Sequence, residues 1–203
     1  MEDKKLSNEQ SLELITQMVQ RSRRQIEVRS GNQYLWWGWF SFVLACVIGI
    51  LLHTTQCSVW NIAWFAYFPF WGVMVWMSRH HHSEVVTYTD RVMSDVWQVV
   101  GWAMVLSAVV LAVVSFTLAT SRVWVFMLPL SILLSGIGSS VTALILREKT
   151  AAWIPVAGMA LAVYLFPALA FGVVDGVWAS ILFGVAQIAV LIVPGYIVNQ
   201  KAQ

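Results

Sequence analysis

Charge is scarce in this chain, and it is absent from the middle of every long apolar run. Of 203 residues only 11% are charged while 59% are hydrophobic; a soluble domain carries about 25% charged residues, so water alone is not its solvent. All twelve Lys and Arg and all ten Asp and Glu fall outside six proposed membrane spans. An ionisable group at mid-membrane costs about 2.5–3.5 kcal/mol on insertion scales and is kept there mainly for function. Its absence argues against a proton-coupled pump, a voltage sensor and most intramembrane hydrolases that use carboxylates or metal. The buried hydroxyls have no His, Lys or Asp at their depth to act as base, which argues against serine catalysis. Phosphate-binding loops, dinucleotide fingerprints and His-Glu-x-x-His are all missing. There are two cysteines. Cys46 belongs to the first span and Cys57 to the loop after it, depths that do not suit a disulfide, and no Cys-x-x-Cys pattern points to zinc or redox work. A cleavable signal peptide is not expected either, because the first apolar run begins near Tyr34 after more than thirty mostly polar residues. The first span is expected to stay as an anchor. No cofactor, metal or nucleic acid is called for, and an enzyme is the least favoured class.

What the chain does contain is apolar runs of membrane-spanning length. The fold expected is all-α: a polytopic bundle of six transmembrane helices over residues 34–198. A cytoplasmic amphipathic helix within 1–33 precedes it and a short cytoplasmic tail, 199–203, follows. The spans are drawn at 34–52, 60–77, 96–118, 123–146, 151–174 and 177–198. Arg122 alone of the twelve basic residues falls on one side of this topology, so the positive-inside rule places both termini in the cytoplasm. The same map sorts Trp60, Trp124 and Trp178 to the outer interface and Trp36, Trp76, Trp97 and Trp153 to the inner one.

The fourth span, MLPLSILLSGIGSSVTALIL, is read as the helix the others pack around. Ser131, Ser135 and Ser139 recur every four residues and share one face. Gly136 and Gly138 widen it, and small faces let neighbouring helices approach closely in lipid. In the sixth span Gln187 is the one strong polar group, a candidate cavity residue.

Upstream, Ser7 to Gln10 fits a capping box. Leu12, Ile15, Met18, Val19 and Ile26 then recur at helical spacing, and Gly31 is a natural stop. The stripe, with Arg21 and Arg24 beside it, either docks on anionic lipid or a partner or covers the protein's own cytoplasmic loop over 79–96. In the second span Trp60, Trp64, Phe68 and Trp71 form a stripe that either lines a pocket or packs and faces lipid, and Pro69 should kink the helix. His80, His81 and His82 either bind metal or form a solvated cap; neighbours in sequence rarely converge on one ion without distant ligands. A repetition is suggested as well. Gly38-Trp39 is answered by Gly101-Trp102 and Pro69 by Pro129, at unequal offsets.

Five stretches together resemble a family of small multi-pass inner-membrane proteins widespread in Bacteroidota. They are SLELITQM (11–18), SGNQYLWWG (30–38), VVTYTDRVMSDVWQVVG (85–101), the fourth span itself (127–146) and VPGYIVN (193–199). The resemblance implies a bacterial inner-membrane protein and assigns no site residues. The expectation is a protein that works through partners in a regulatory, sensing or assembly role. Its contacts would be the bilayer and either a cytoplasmic protein or further copies of itself. The alternative is a small permease or the membrane subunit of a transporter, favoured if Gln187 and the span-four serines lined one cavity.

Overall fold

The computed structural model describes residues 8–80 and 88–202. They form α1 (Asn8–Thr55), a 3₁₀ helix over Ser58–Ala66, α2 (Tyr67–His80), α3 (Tyr88–Thr117), a second 3₁₀ helix over Arg122–Phe126, α4 (Met127–Ile145), α5 (Lys149–Ala170), α6 (Gly176–Gln187), a π turn over Ile188–Ile192, and α7 (Val193–Ala202). No strand occurs among the described residues. Among the described residues five helical stretches are long and apolar enough to cross a membrane: Ser30–Thr55, Tyr88–Thr117, Arg122–Ile145, Lys149–Ala170 and Gly176–Lys201. The chain therefore has the make-up of a multi-pass membrane protein.

The first departure from the sequence reading is at Gly31. The helix does not stop there: α1 is one rod of 48 residues, about 72 Å at 1.5 Å per residue. Gly31 is buried, and a side chain on it would meet Asn199 and the Gly195 carbonyl. Its missing Cβ serves a close crossing of α1 and α7 rather than a left-handed cap. The first twenty-odd residues of α1 thus continue the first span instead of forming a helix of their own.

The helices run antiparallel, and their ends fall into two groups. At one end the Ser30 hydroxyl donates to the Met93 sulfur at 3.7 Å, and Asn199 Nδ2 donates to Asn32 Oδ1 at 2.7 Å. Lys201 pairs with Glu148 at the same end. A small core of Met93, Ala143, Leu146, Ala151, Ala152 and Val198 ties together α3, α4, α5 and α7 there. Arg91, Arg147 and Lys149 are exposed around this end. The opposite end holds the turns after Thr55, around Ala119 to Arg122, and from Phe171 to Asp175. Arg147, in the α4–α5 turn, and Ala119 both take positive φ, 63° and 48°; each ends its helix in the left-handed region that an abrupt reversal requires.

From the far end at Thr55 the described chain, Ser58–His80, turns back towards the end at which α3 starts. It does so beside α1. Tyr67 donates to the Ser41 hydroxyl at 2.7 Å, Phe70 stacks on Phe40 with centroids 3.9 Å apart, and Trp37 meets Phe70 edge-on. Pro69 does not kink this segment in mid-helix. It is the third residue of α2, in the first turn, where its missing N–H leaves no bond unmade, and the 3₁₀ helix takes up the change upstream. The same arrangement recurs at Pro129, third in α4 and behind its own 3₁₀ helix.

The 3₁₀ geometry also breaks up the aromatic stripe. Each residue turns about 120° rather than 100°, so four-residue spacing no longer keeps one face. Trp64 turns inward to meet Phe183 edge-on, while Trp60, Phe68 and Trp71 are exposed and line no common pocket. The core does not centre on α4 alone: half of its apolar window is buried (50%), against 56% for Gly176–Lys201 and 11% for α3. The position at the middle is shared by α4 and the last span.

Candidate functional site

The groups with chemical potential are uncharged, and all but Ser180 lie at mid-bundle or nearer the basic end. Ser41, Ser135, Ser139, Thr142, Ser180 and Gln187 are buried. A buried hydroxyl must find a partner, and in a helix the nearest is the carbonyl four residues back. Ser41 donates to Trp37 O, Ser135 to Ser131 O, Thr142 to Gly138 O and Ser180 to Gly176 O, all within 2.6–2.8 Å. Ser131, half-buried, does the same with Met127 O at 2.7 Å. Ser139 departs from this pattern. Its Oγ is fully enclosed and has no protein partner, as is also true of Ser140 Oγ. Its carbonyl instead accepts from the Tyr34 hydroxyl at 3.2 Å, and Tyr34 packs edge-on against Trp97 at 6.0 Å. Tyr34, Ser139 and Thr142 thereby join α1 to α4.

Gln187 is 2% exposed and its Oε1 has no protein partner. It ends α6, and the next five residues widen into the π turn. Pro194 explains the widening. It has no N–H to give the turn before it, and its ring would collide with the carbonyl four residues back in a regular α-helix. The level of Gln187 follows from its neighbours. Gly184 lies against Ala45, and Gly38 against Leu191 and Ile192, so the stripe that carries Gln187 faces α1 near Ser41. On the other side Gly158 meets the Ala186 carbonyl and Val190, and Gly136 meets Met159. Gln187 therefore shares one level of the bundle with Ser41, Gly136 and Gly158.

Of the small residues singled out on α4, Ser135, Ser139, Gly136 and Gly138 are buried and Ser131 is half-buried. They do not all serve one partner: Gly136 faces α5, Gly138 faces Trp97 and Val100 of α3, and Ser139 meets α1. Gln187 does not border one cavity that the described residues form. That one, about 180 Å³, lies towards the far end between α1 and α6, lined by Gly49, Ile50, His53, Val177, Trp178 and Ile181. Leu12 and Met18 in the first turns of α1 are exposed; the side chains of Ile15, Val19, Arg21, Arg24 and Ile26 lie outside the described residues. So do Ser7 of the capping box, and His81 and His82 of the histidine run. Cys46 is half-buried and Cys57 exposed, both as free thiols. Among the described residues no cluster of His, Cys, Asp or Glu could hold a metal ion.

Sequence reasoning missed Tyr34, Ser41, Tyr67 and Asn199. Tyr34 was read as the edge of a span, and the pairing of Ser41 with Tyr67 joins residues 26 apart, with no local signal. Asn199 looked like tail, yet α7 carries it back over Gly31. No family model, curated protein or solved structure matches the chain.

Proposed function

We propose that the chain is an inner-membrane protein of bacteria, crossing the bilayer six times with both termini in the cytoplasm, and that it acts through partners in a regulatory, sensing or assembly role. The observation that carries this reading is the asymmetry of the two ends. Arg91, Arg147, Lys149 and Lys201 surround one end and Arg122 is at the other, as the positive-inside rule requires of a cytoplasmic face. The sixth crossing is Ser58–His80. Its 9 residues of 3₁₀ and 14 of α-helix amount to about 39 Å, more than the roughly 30 Å of a hydrocarbon core. Its four tryptophans and one tyrosine lower its hydropathy without making it polar. The resemblance to small inner-membrane proteins of Bacteroidota supports the same location.

The part offered to a partner is the first turns of α1, which extend past the bundle on the basic side with Leu12 and Met18 uncovered. Burying such a side chain contributes about 1.5–3 kcal/mol, so several hold a helix to a surface. Arg21 and Arg24 add attraction to anionic lipid or to an acidic protein. The partner is a cytoplasmic protein, with self-association as the other outcome. A second reading, a small permease or transporter subunit, draws on the buried unpaired Gln187 oxygen beside a break in the last span, because polar groups at broken helices mark solute sites in membranes.

Alkaline phosphatase fused after Gln203 is expected to be inactive, and fused within 53–59 active; activity at the C-terminal position sinks the topology. Deletion of residues 1–28 is expected to leave a membrane-inserted bundle that no longer co-purifies a soluble protein. Failure of that variant to accumulate would make the segment a structural part of the bundle.

A further inference from the structure

Four buried polar atoms in the described residues lack a protein partner: Gln187 Oε1, Ser139 Oγ, Ser140 Oγ and Asn199 Oδ1. Native structures leave few such atoms without a hydrogen bond, and ordered water supplies those that protein does not. Their order along the bundle is what matters. Gln187 lies at the level of Ser41 and Gly136. Ser139 and Ser140 are about one turn nearer the basic end, where the hydroxyls of Tyr34 and Thr142 also gather. Asn199 lies at that end, over Gly31. The unpaired atoms thus step from mid-bundle to one face.

Beyond Gln187 the character changes. Towards the far end Ala45, Leu128, Ile132, Leu165, Ala179 and Phe183 pack together, and the hydroxyls of Ser131 and Ser135 are satisfied by their own helix. Ser180, deeper in that half, is satisfied by its own helix. The two halves of the same interior therefore differ in whether their buried polar atoms have protein partners.

We infer that water enters the bundle from its basic end and reaches Gln187, so that the core holds a hydrated half-channel closed by an apolar layer. No formal charge lines it, which suits water rather than an ion. The break in the last span begins where the row of unpaired atoms ends, at Gln187. The π turn and Pro194 leave a backbone carbonyl short of its helical donor there, and such carbonyls are tolerated in a membrane where protein or water meets them. The inference does not depend on the partner-binding role or on which protein the first turns of α1 contact.

Radiolytic hydroxyl-radical labelling of the full-length protein in nanodiscs tests it, because radicals form at bound water as well as in bulk. Tyr34 and Phe183 are a matched pair, both aromatic and both 3% exposed. Tyr34 is expected to be oxidised on the order of tenfold faster than Phe183, as a side chain beside internal water would be. Tyr67, whose hydroxyl lies at the Gln187 level on Ser41, should also outpace Phe183. Gln187→Leu should bring Tyr67 down to the rate of Phe183 and leave Tyr34 fast. Tyr34 labelled as slowly as Phe183 in the unaltered protein overturns the half-channel. Tyr67 at the rate of Phe183 in that protein, or unmoved by Gln187→Leu, overturns its reach to Gln187.

Discussion

Two parts of this bundle obey different rules. In α1, α4, α5 and the α6–α7 span the glycines, Gly176 at the start of α6 apart, mark close approaches between helices. A Cβ on Gly38 would come within 2.7 Å of Ile192, one on Gly158 within 2.5 Å of Val190, and one on Gly195 within 3.0 Å of Tyr34. On α2 and α3 the glycines mark nothing of the kind: a Cβ on Gly72 or Gly101 would meet no atom within 4 Å. The same residue type thus closes an interface in one region and faces open surface in the other. In lipid an apolar side chain gains little by moving from acyl chain to protein, so packing fit and hydrogen bonds, not hydrophobicity, decide which helices join the centre. α2 and α3 are apolar enough to be buried and are held from one side only.

This contrast can be broken most strongly at Phe183, enclosed and in edge contact with Trp64. Phe183→Ala is expected to cost the lower part of about 3–5 kcal/mol, since the transfer term is small in lipid while the cavity is not. Phe116→Ala, at a side chain 91% exposed, should fall within about 0.5 kcal/mol of the parent. Melting temperatures in one detergent read both, and equal losses would erase the distinction between the two regions.

Overpacking gives the next effect. Gly158→Leu should cost about 1–3 kcal/mol or more, because both Val190 and the Ala186 carbonyl stand in the way. Gly101→Leu should be neutral or slightly stabilising through better helix propensity. A destabilised Gly101→Leu would show that α3 has a neighbour on that face. Ser135→Leu belongs with the first of the pair: its hydroxyl is enclosed, and the larger side chain should lower the melting point by a similar overpacking cost of about 1–3 kcal/mol. An unchanged melting point would remove Ser135 from the packed interior.

The smallest expected effect sharpens the boundary between the regions. Tyr67→Phe deletes a side-chain hydrogen bond from α2 to α1, that to Ser41, and should cost about 0.5–1.5 kcal/mol. Ser41→Ala should cost about the same, and the double variant little more than either alone. Additive losses would mean that the two hydroxyls act separately.

Much of the architecture was legible in the chain because its causes are local. Hydropathy over some twenty residues, tryptophans at span edges and the one-sided placement of Lys and Arg are read without knowing which helices touch. That is enough for an all-helical membrane protein and for the approximate bounds of each apolar stretch. The small residues of α4 and the solitary polar Gln187 were also visible, since spacing alone places Ser131, Ser135 and Ser139 on one face.

What the tertiary structure decided is each matter that depends on a second helix. Gly31 reads as a stop, and only the approach of Gly195 and Asn199 makes it a crossing point inside one long rod. The aromatic stripe from Trp60 to Trp71 assumes an α-helical turn that the 3₁₀ helix does not keep, so Trp64 alone of the four turns in to Phe183. Ser139 looks identical to Ser135 in sequence, yet its hydroxyl does not turn back on its own helix and its carbonyl accepts from Tyr34, which arrives from a helix over a hundred residues away. Local chemistry sets which segments are helical and apolar. Which face of each is enclosed depends on close fit between backbones distant in the chain, and a single sequence does not carry that information.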